Sequence, residues 1–402
     1  MIGKAYNPAW PFAQAVRVAA NRWNKLGLLT AAQHDAIEAA YPLDYYRPHF
    51  FLRILLFIFT LIGGSMAGTF FVLLLLPGST KHEETIIPII MLMGAAGCFF
   101  ALESSIKSSR LYHSGPDNAL LYMGLSSLTG LLGYSVDSLL PSIFHYGFSL
   151  TNPFLSLLLL PMLAVLLVAT IRYADRVVAT VAYFVYLLLI ANILLQFSLG
   201  RLVLPFAVML ASAVAYGLLR KLARRPDYLY YKQCFNCLKA LTLITFYLGG
   251  NYLVVREGNA ELAHLFVSPQ IPFAPLFYAF TAVIPLAYIV IGLRRPNRIW
   301  LWVGLLAVGF SFYTLRFYRS LLPPEVAATL AGTALVVLAG FAIRYLRTPR
   351  HGLTAASDEE TPPLLNLEAL IVAQTASVTA PPAPGFQFGG GTSGGGGATG
   401  NF

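Results

Sequence analysis

Beyond residue 50 the chain alternates long apolar runs with short polar stretches. Ten runs are long enough to cross roughly 30 Å of hydrocarbon as a helix. They fall near 52–76, 86–102, 119–136, 153–171, 177–197, 202–219, 238–255, 273–293, 299–315 and 324–346. The pattern predicts an all-α fold, a polytopic transmembrane helical bundle filling 50–348. The runs at 86–102, 202–219 and 299–315 are short, and a re-entrant segment in place of one of them would change the count.

The flanks read differently. In 10–26, Phe12, Val16, Ala19, Ala20 and Trp23 recur at helical spacing, with Arg17, Arg22 and Lys25 on other faces. Gly27 suits a helix C-terminus. Thr30 and Gln33 match a capping box that opens a second helix over 30–40. Residues 1–49 are therefore expected to form a cytosolic helical hairpin. It ends in an aromatic belt against the first span, carried by Tyr45, Tyr46, Arg47 and His49. No apolar core followed by a small-residue cleavage site occurs there, so the first span is expected to direct insertion. After residue 349 an acidic SDEE and a short amphipathic stretch at 362–374 lead into Pro- and Gly-rich sequence. Such sequence has little apolar surface to offset chain entropy, which predicts a flexible tail.

Composition supports the membrane reading. Only 11% of the residues are charged and mean hydropathy is +0.68, against about 25% charged in soluble proteins. The net charge of +10 would raise nucleic-acid binding in a soluble chain. Here the basic residues sit at the ends of apolar runs, where the positive-inside bias accounts for them without a polyanion. With ten spans and an internal amino terminus, all but Lys81, Arg201, Arg256, Arg316 and Arg319 of the 27 Lys and Arg residues fall inside. The densest basic stretch, 220–239, reads as a central cytosolic loop that sets the direction of the spans around it. Short basic turns echo one another, TIRYADR at 170–176 with AIRYLR at 342–347, as such turns converge to do.

Candidate chemistry is sparse. Cys234 and Cys237 form a Cys-x-x-Cys, but no neighbouring Cys or His completes a zinc set and no βαβ context supports a redox pair. The third cysteine, Cys98, lies in an apolar run, so no disulfide framework is expected. Polar residues inside or at the ends of spans are the site candidates: Asn192, Gln196, Asn251, Glu103 and Asp137. Gly63, Gly64 and Gly68 permit close helix approach, and Pro88, Pro161, Pro205 and Pro285 are expected to kink their helices. His82, Glu83, Glu84, His145, Glu261 and His264 are metal-ligand types scattered over three outer loops. No G-x-S-x-G, H-E-x-x-H or Walker pattern occurs. The expectation is a protein with no cofactor, no metal and no catalytic constellation.

The stretch ANRWNKLGLLTAAQHDAIEAAYP at 20–42, with Trp23, Gly27, Leu28 or Leu29, Thr30 and Gln33, resembles the opening of an uncharacterised bacterial family. That family is known as domain of unknown function 2157. The resemblance implies multiple spans in a bacterial inner membrane and brings no substrate; it is the charge distribution over ten spans that places both termini in the cytosol.

Two roles are expected. One is a transporter or permease for a small, weakly polar or lipid-like solute. The other is a scaffold or sensor acting through the cytosolic head and tail. The partners expected are the lipid bilayer and a small-molecule or lipid ligand, with no nucleic acid. For transport, the sharpest spot is Gly249-Gly250-Asn251, where adjacent glycines cost roughly 1 kcal/mol each relative to Ala. A helix opening there would let Asn251 line a cavity with Asn192 and Gln196. On that reading Asn251→Leu removes function and spares the fold. The topology has its own test: reporter fusions after residues 145 and 264 are expected to read external, and those after 110, 228 and 350 cytosolic. A cytosolic signal at 264 would remove the ten-span layout.

Overall fold

The computed structural model describes residues 3–75, 83–139, 149–294 and 298–318, with scattered positions between 325 and 344. It divides into two units, of which the smaller is Val16–Pro42 in its described part. Helix α1 (Ala9–Lys25) ends where the sequence places its stop: Gly27 adopts φ 72° and Leu28 N–H donates to Trp23 O at 2.9 Å. Helix α2 (Ala31–Ala40) opens on the full capping box. Thr30 Oγ1 accepts from Gln33 N at 3.3 Å, and Gln33 Oε1 accepts from Thr30 N at 3.0 Å. Arg17 closes the hairpin by donating to Tyr41 O and Glu38 O at 2.8 and 2.7 Å.

Among its described residues the larger unit holds ten further helices: α3 (Phe50–Leu75), α4 (Glu83–Ser109), α5 (Pro116–Leu139), α6 (Leu155–Tyr173), α7 (Arg176–Leu195), α8 (Gly200–Leu222), α9 (Tyr228–Gly250), α10 (Tyr252–Leu262), α11 (Ala274–Arg294) and α12 (Arg298–Tyr318). Eight of them are long and apolar enough to cross a membrane, and α9 with α10 passes the same test as a pair bent by 74°, the form of a broken span or a re-entrant loop. These elements fall on nine of the ten apolar runs. The tenth run, 324–346, lies largely outside the described residues, as do the tail and His145. Proline at 88, 161, 205 and 285 lies inside its helix.

Helix α9 is the hub: it packs against α7, α8, α11 and α12. Lipid tails are as apolar as the helices, so close fit and interhelical hydrogen bonds must hold such a bundle together. The bonds converge on α9. Tyr183 of α7 donates to Ser212 of α8 at 3.1 Å, and Ser212 meets Thr245 of α9 at 2.8 Å. Tyr288 of α11 donates to Leu243 O of α9 at 3.0 Å. By contrast, α3 has none of its best membrane-crossing window buried against protein.

The central loop expected over 220–239 is corrected. Helix α8 runs to Leu222 and α9 starts at Tyr228, leaving only 223–227 between them. Hydropathy alone misreads this segment because its polar residues share one helix with a buried aromatic face. Tyr228, Tyr230, Cys234 and Phe235 are buried, and Cys234 Sγ donates to Ala174 O at 2.9 Å. The Cys-x-x-Cys is thus one turn of a packed helix, with both thiols free.

One close approach depends on glycine. Gly115 has φ +115°, and a Cβ there would lie 2.4 Å from Arg53 O. Gly27 also has positive φ but faces open space. Gly115→Ala is therefore expected to destabilise by roughly 2–3 kcal/mol and Gly27→Ala by about 1 kcal/mol. Thermal unfolding in detergent compares them, and equal losses would mean that the Gly115 contact does not constrain the fold.

Candidate functional site at a broken helix

Helix α9 stops at Gly250 and α10 leaves at 74° from it. The glycines allow the break to be crowded from two sides. A Cβ on Gly249 would lie 3.1 Å from Pro205 O of α8, and one on Gly250 would lie 2.8 Å from Ile284 Cδ1, midway along α11. A chain that leaves its helix in hydrocarbon must re-satisfy the freed peptide groups. Asn251 does this. Its Oδ1 accepts from Leu253 N and Val254 N at 3.0 and 3.3 Å, an N-cap for α10. Its Nδ2 donates to Tyr247 Oη at 2.9 Å and to Thr314 Oγ1 of α12 at 3.0 Å. Tyr252 N, the next freed donor, reaches Thr281 Oγ1 of α11 at 3.0 Å.

From Tyr247 the network continues to Ser311 Oγ at 2.8 Å, which in turn donates to Thr281 O at 2.7 Å. Asn251 is fully buried and every polar atom of its side chain is bonded. Beyond it, Tyr252 stacks on Tyr278 with centroids 4.2 Å apart. Arg256 lies 4.7 Å from the Tyr318 ring and donates to Ser268 O at 2.6 Å, and Glu257 accepts from Ser268 Oγ at 2.8 Å. Next to the network, a groove of about 230 Å³ runs between α11 and α12, bordered by Tyr278, Ala282, Leu286, Phe312 and Tyr318. The hydroxyls of Thr281, Ser311 and Thr314 also border it, but each is bonded to a backbone carbonyl, Phe277 O, Thr281 O and Phe310 O respectively. The groove therefore offers a largely apolar surface in which these three hydroxyls are already engaged.

The expected association of Asn251 with Asn192 and Gln196 is corrected. Asn192 donates to Leu150 O and Asn152 O at 2.9 and 2.8 Å, and Gln196 to Asn192 O at 3.0 Å. These two brace the turn before α6 rather than the break. Glu103 joins a third set: it accepts from Arg172 Nε at 2.8 Å and from Tyr173 Oη at 2.7 Å. Asp137, half-buried near the end of α5, joins none of these sets among the described residues.

The set around Glu103 belongs to a buried polar layer that also holds Asp117 and Asp175, two carboxylates the hydropathy pattern passes over. Gly3–Asn7 forms a strap across this layer. Ala5 N donates to Arg172 O at 2.9 Å, Tyr6 Oη to Asp117 Oδ2 at 2.8 Å, and Lys4 pairs with Asp227 at 3.3 Å. Asp117 Oδ1 accepts from Ser114 N and Gly115 N at 2.8 and 3.1 Å. Asp175 caps α7 through Val177 N and Val178 N, and takes Asn118 Nδ2 at 2.9 Å and Tyr122 Oη at 3.0 Å. Signals for both exist in the sequence: Ser114-Gly-Pro-Asp117 has the Ser-x-x-Asp spacing of a capping box, and Asp175 follows a helix end and precedes an apolar run. His113 lies between the rings of Tyr6 and Tyr112, 4.9 Å from each. Burial holds its imidazole below its ordinary range, against the pull of Asp117 and Asp175. Burial, reinforced by Asp117, raises Tyr6 well above the usual phenol range.

No family model, curated protein or solved structure matches this chain. The geometry must carry the functional reading alone. Among the described residues no three His, Cys, Asp or Glu side chains are grouped to hold a metal ion.

The bonds at Asn251 also overturn the expectation that Asn251→Leu spares the fold. That substitution removes a cap and takes one of the partners of the Tyr247 and Thr314 hydroxyls, which keep Ser311 and Phe310 O, a loss of roughly 2–4 kcal/mol. Asn251→Asp keeps the cap and is expected to lose about half as much. Unfolding midpoints of the two variants in detergent are the measurement. A neutral Asn251→Leu would show that the break is held elsewhere.

Proposed function

We propose that this multi-pass membrane protein carries a small, weakly polar or lipid-like solute, with the groove between α11 and α12 as its binding place. The observation that carries the reading is the broken span beside a partly open, apolar groove. Broken helices in membranes persist where they are packed in protein or line a cavity, and substrate sites of many transporters are built on them. At about 230 Å³ the groove is below the roughly 300–1,000 Å³ of drug-sized pockets, which suits a small solute or one acyl segment. The hydroxyls of Thr281, Ser311 and Thr314 are bonded within the bundle and no carboxylate lines the groove among the described residues, features that favour an uncharged guest over an ion. The bacterial inner-membrane setting, implied by the hairpin's family resemblance, belongs to the same proposal.

A second reading, a sensor or scaffold, rests on the strap. Gly3–Asn7 ties together the ends of α5, α6 and α9 and leads directly into α1. A partner pulling on α1 would act on three helix ends at once.

One substitution separates the readings. Ala282 borders the groove and is exposed, so Ala282→Trp fills the groove without entering the packed interior. With the full chain in liposomes, fluorescent-lipid scrambling and glycerol flux are expected above protein-free background. Ala282→Trp is expected to lower whichever is active about tenfold, a barrier increase of about 1.4 kcal/mol, with unfolding unchanged. Neither activity in the wild type, or full activity in the variant, would sink the groove reading and leave the strap reading in place.

A further inference from the structure

The seam between the first turn of α3 and the start of α5 contains two buried polar atoms without a partner among the described residues, Arg53 Nε and Asn118 Oδ1. The helices meet closely here: Gly115 lies against Arg53 O, and the Phe57 and Tyr122 rings are 5.8 Å apart. A buried donor with no acceptor is destabilising, more so when it is charged, and a native structure that keeps one calls for a missing water, ion or ligand. The nearby carboxylates do not fill the role. Asp117, within electrostatic range of Arg53, accepts from Tyr6, Ser114 and Gly115, and Asp175 accepts from Asn118, Tyr122, Val177 and Val178. Two more cations are in range of Arg53. Arg47 is engaged with Gln14 at 3.0 Å and lies over the Tyr112 ring. Arg176 is exposed, and its side chain makes no hydrogen bond or ion pair among the described residues.

The complementary molecule needs anionic oxygens for Arg53 and Arg176, a donor for Asn118 Oδ1, and an apolar body. The body is required because the same turn of α3 opens onto exposed Phe50, Phe51, Ile54 and Leu55. We propose that this seam binds an anionic phospholipid with a hydroxylated headgroup, its phosphate on Arg53 and Arg176, its hydroxyl on Asn118 and its acyl chains along α3. The site is separate from the groove between α11 and α12, and the proposal stands whether or not that groove carries a solute. A lipid in this seam would fasten α3, which is otherwise the helix least covered by protein, to the polar layer beneath the strap.

The test uses the full chain in nanodiscs containing phosphatidylglycerol and phosphatidylcholine, with lipid retention read by native mass spectrometry after transfer to detergent. Wild type is expected to retain phosphatidylglycerol about fivefold over phosphatidylcholine, because juxtamembrane cations hold anionic headgroups. Arg53→Gln and Arg176→Gln are each expected to lose most of that preference, and Arg53→Lys, which keeps the charge but not the Nε–H, to lose part of it. Arg201→Gln, an exposed charge elsewhere, is expected to change nothing. Among the described residues the Arg176 side chain makes no hydrogen bond or ion pair, so its variant remains informative if Arg53→Gln does not fold. Unchanged retention in Arg176→Gln would overturn the proposal. So would displacement of the lipid by excess inorganic phosphate with equal thermal protection, which assigns the site to a free anion. A stability change at Arg53→Gln and Asn118→Leu with lipid retention intact would also overturn it, since it leaves only a bridging water.

Discussion

Inside hydrocarbon a peptide group without a partner is costly, so a span can open only where the fold supplies replacements. Asn251 supplies them. One amide side chain caps α10 with its oxygen and ties α9 to α12 with its nitrogen, while Thr281 takes the next freed N–H. The break draws in Gly249 and Gly250, which allow α8 and α11 to close on it, and then Tyr247 and Ser311, which carry the hydrogen bonds between helices. The α11–α12 groove borders this network. Its location follows from the need to satisfy a backbone.

The polar layer under the strap meets a related constraint with charges. Asp117 and Asp175 are buried, and no cation pairs directly with either among the described residues. Backbone N–H groups at helix starts and tyrosine hydroxyls stand in for counterions there, and such positions favour anions. Their oxygens are filled by these donors, so the arginines nearby are not all consumed. Arg172 pairs with Glu103, Arg47 with Gln14, and the buried Nε of Arg53 has no partner among the described residues.

The sequence by itself determined the class of fold, the placement of nine of the ten apolar runs, the head's capping box, the Gly27 stop and the glycine pair as a weak point in its helix. These are local properties, set by run length, helical spacing and the chemistry of a few consecutive residues. It misplaced the boundaries of α9 because a hydropathy average cannot see that Tyr228, Tyr230 and Cys234 share one buried face of a polar segment. Only the tertiary structure decided what Asn251, Asn192 and Glu103 do. All three are uncommon polar residues in or beside apolar runs, and in the chain they look alike. One is bonded to Thr314, one to the turn before α6 and one to Arg172, partners 63, 40 or more, and 69 residues away. Hydropathy reports whether a side chain enters the bilayer, whereas its function depends on which distant helix it meets there, and that is fixed by packing.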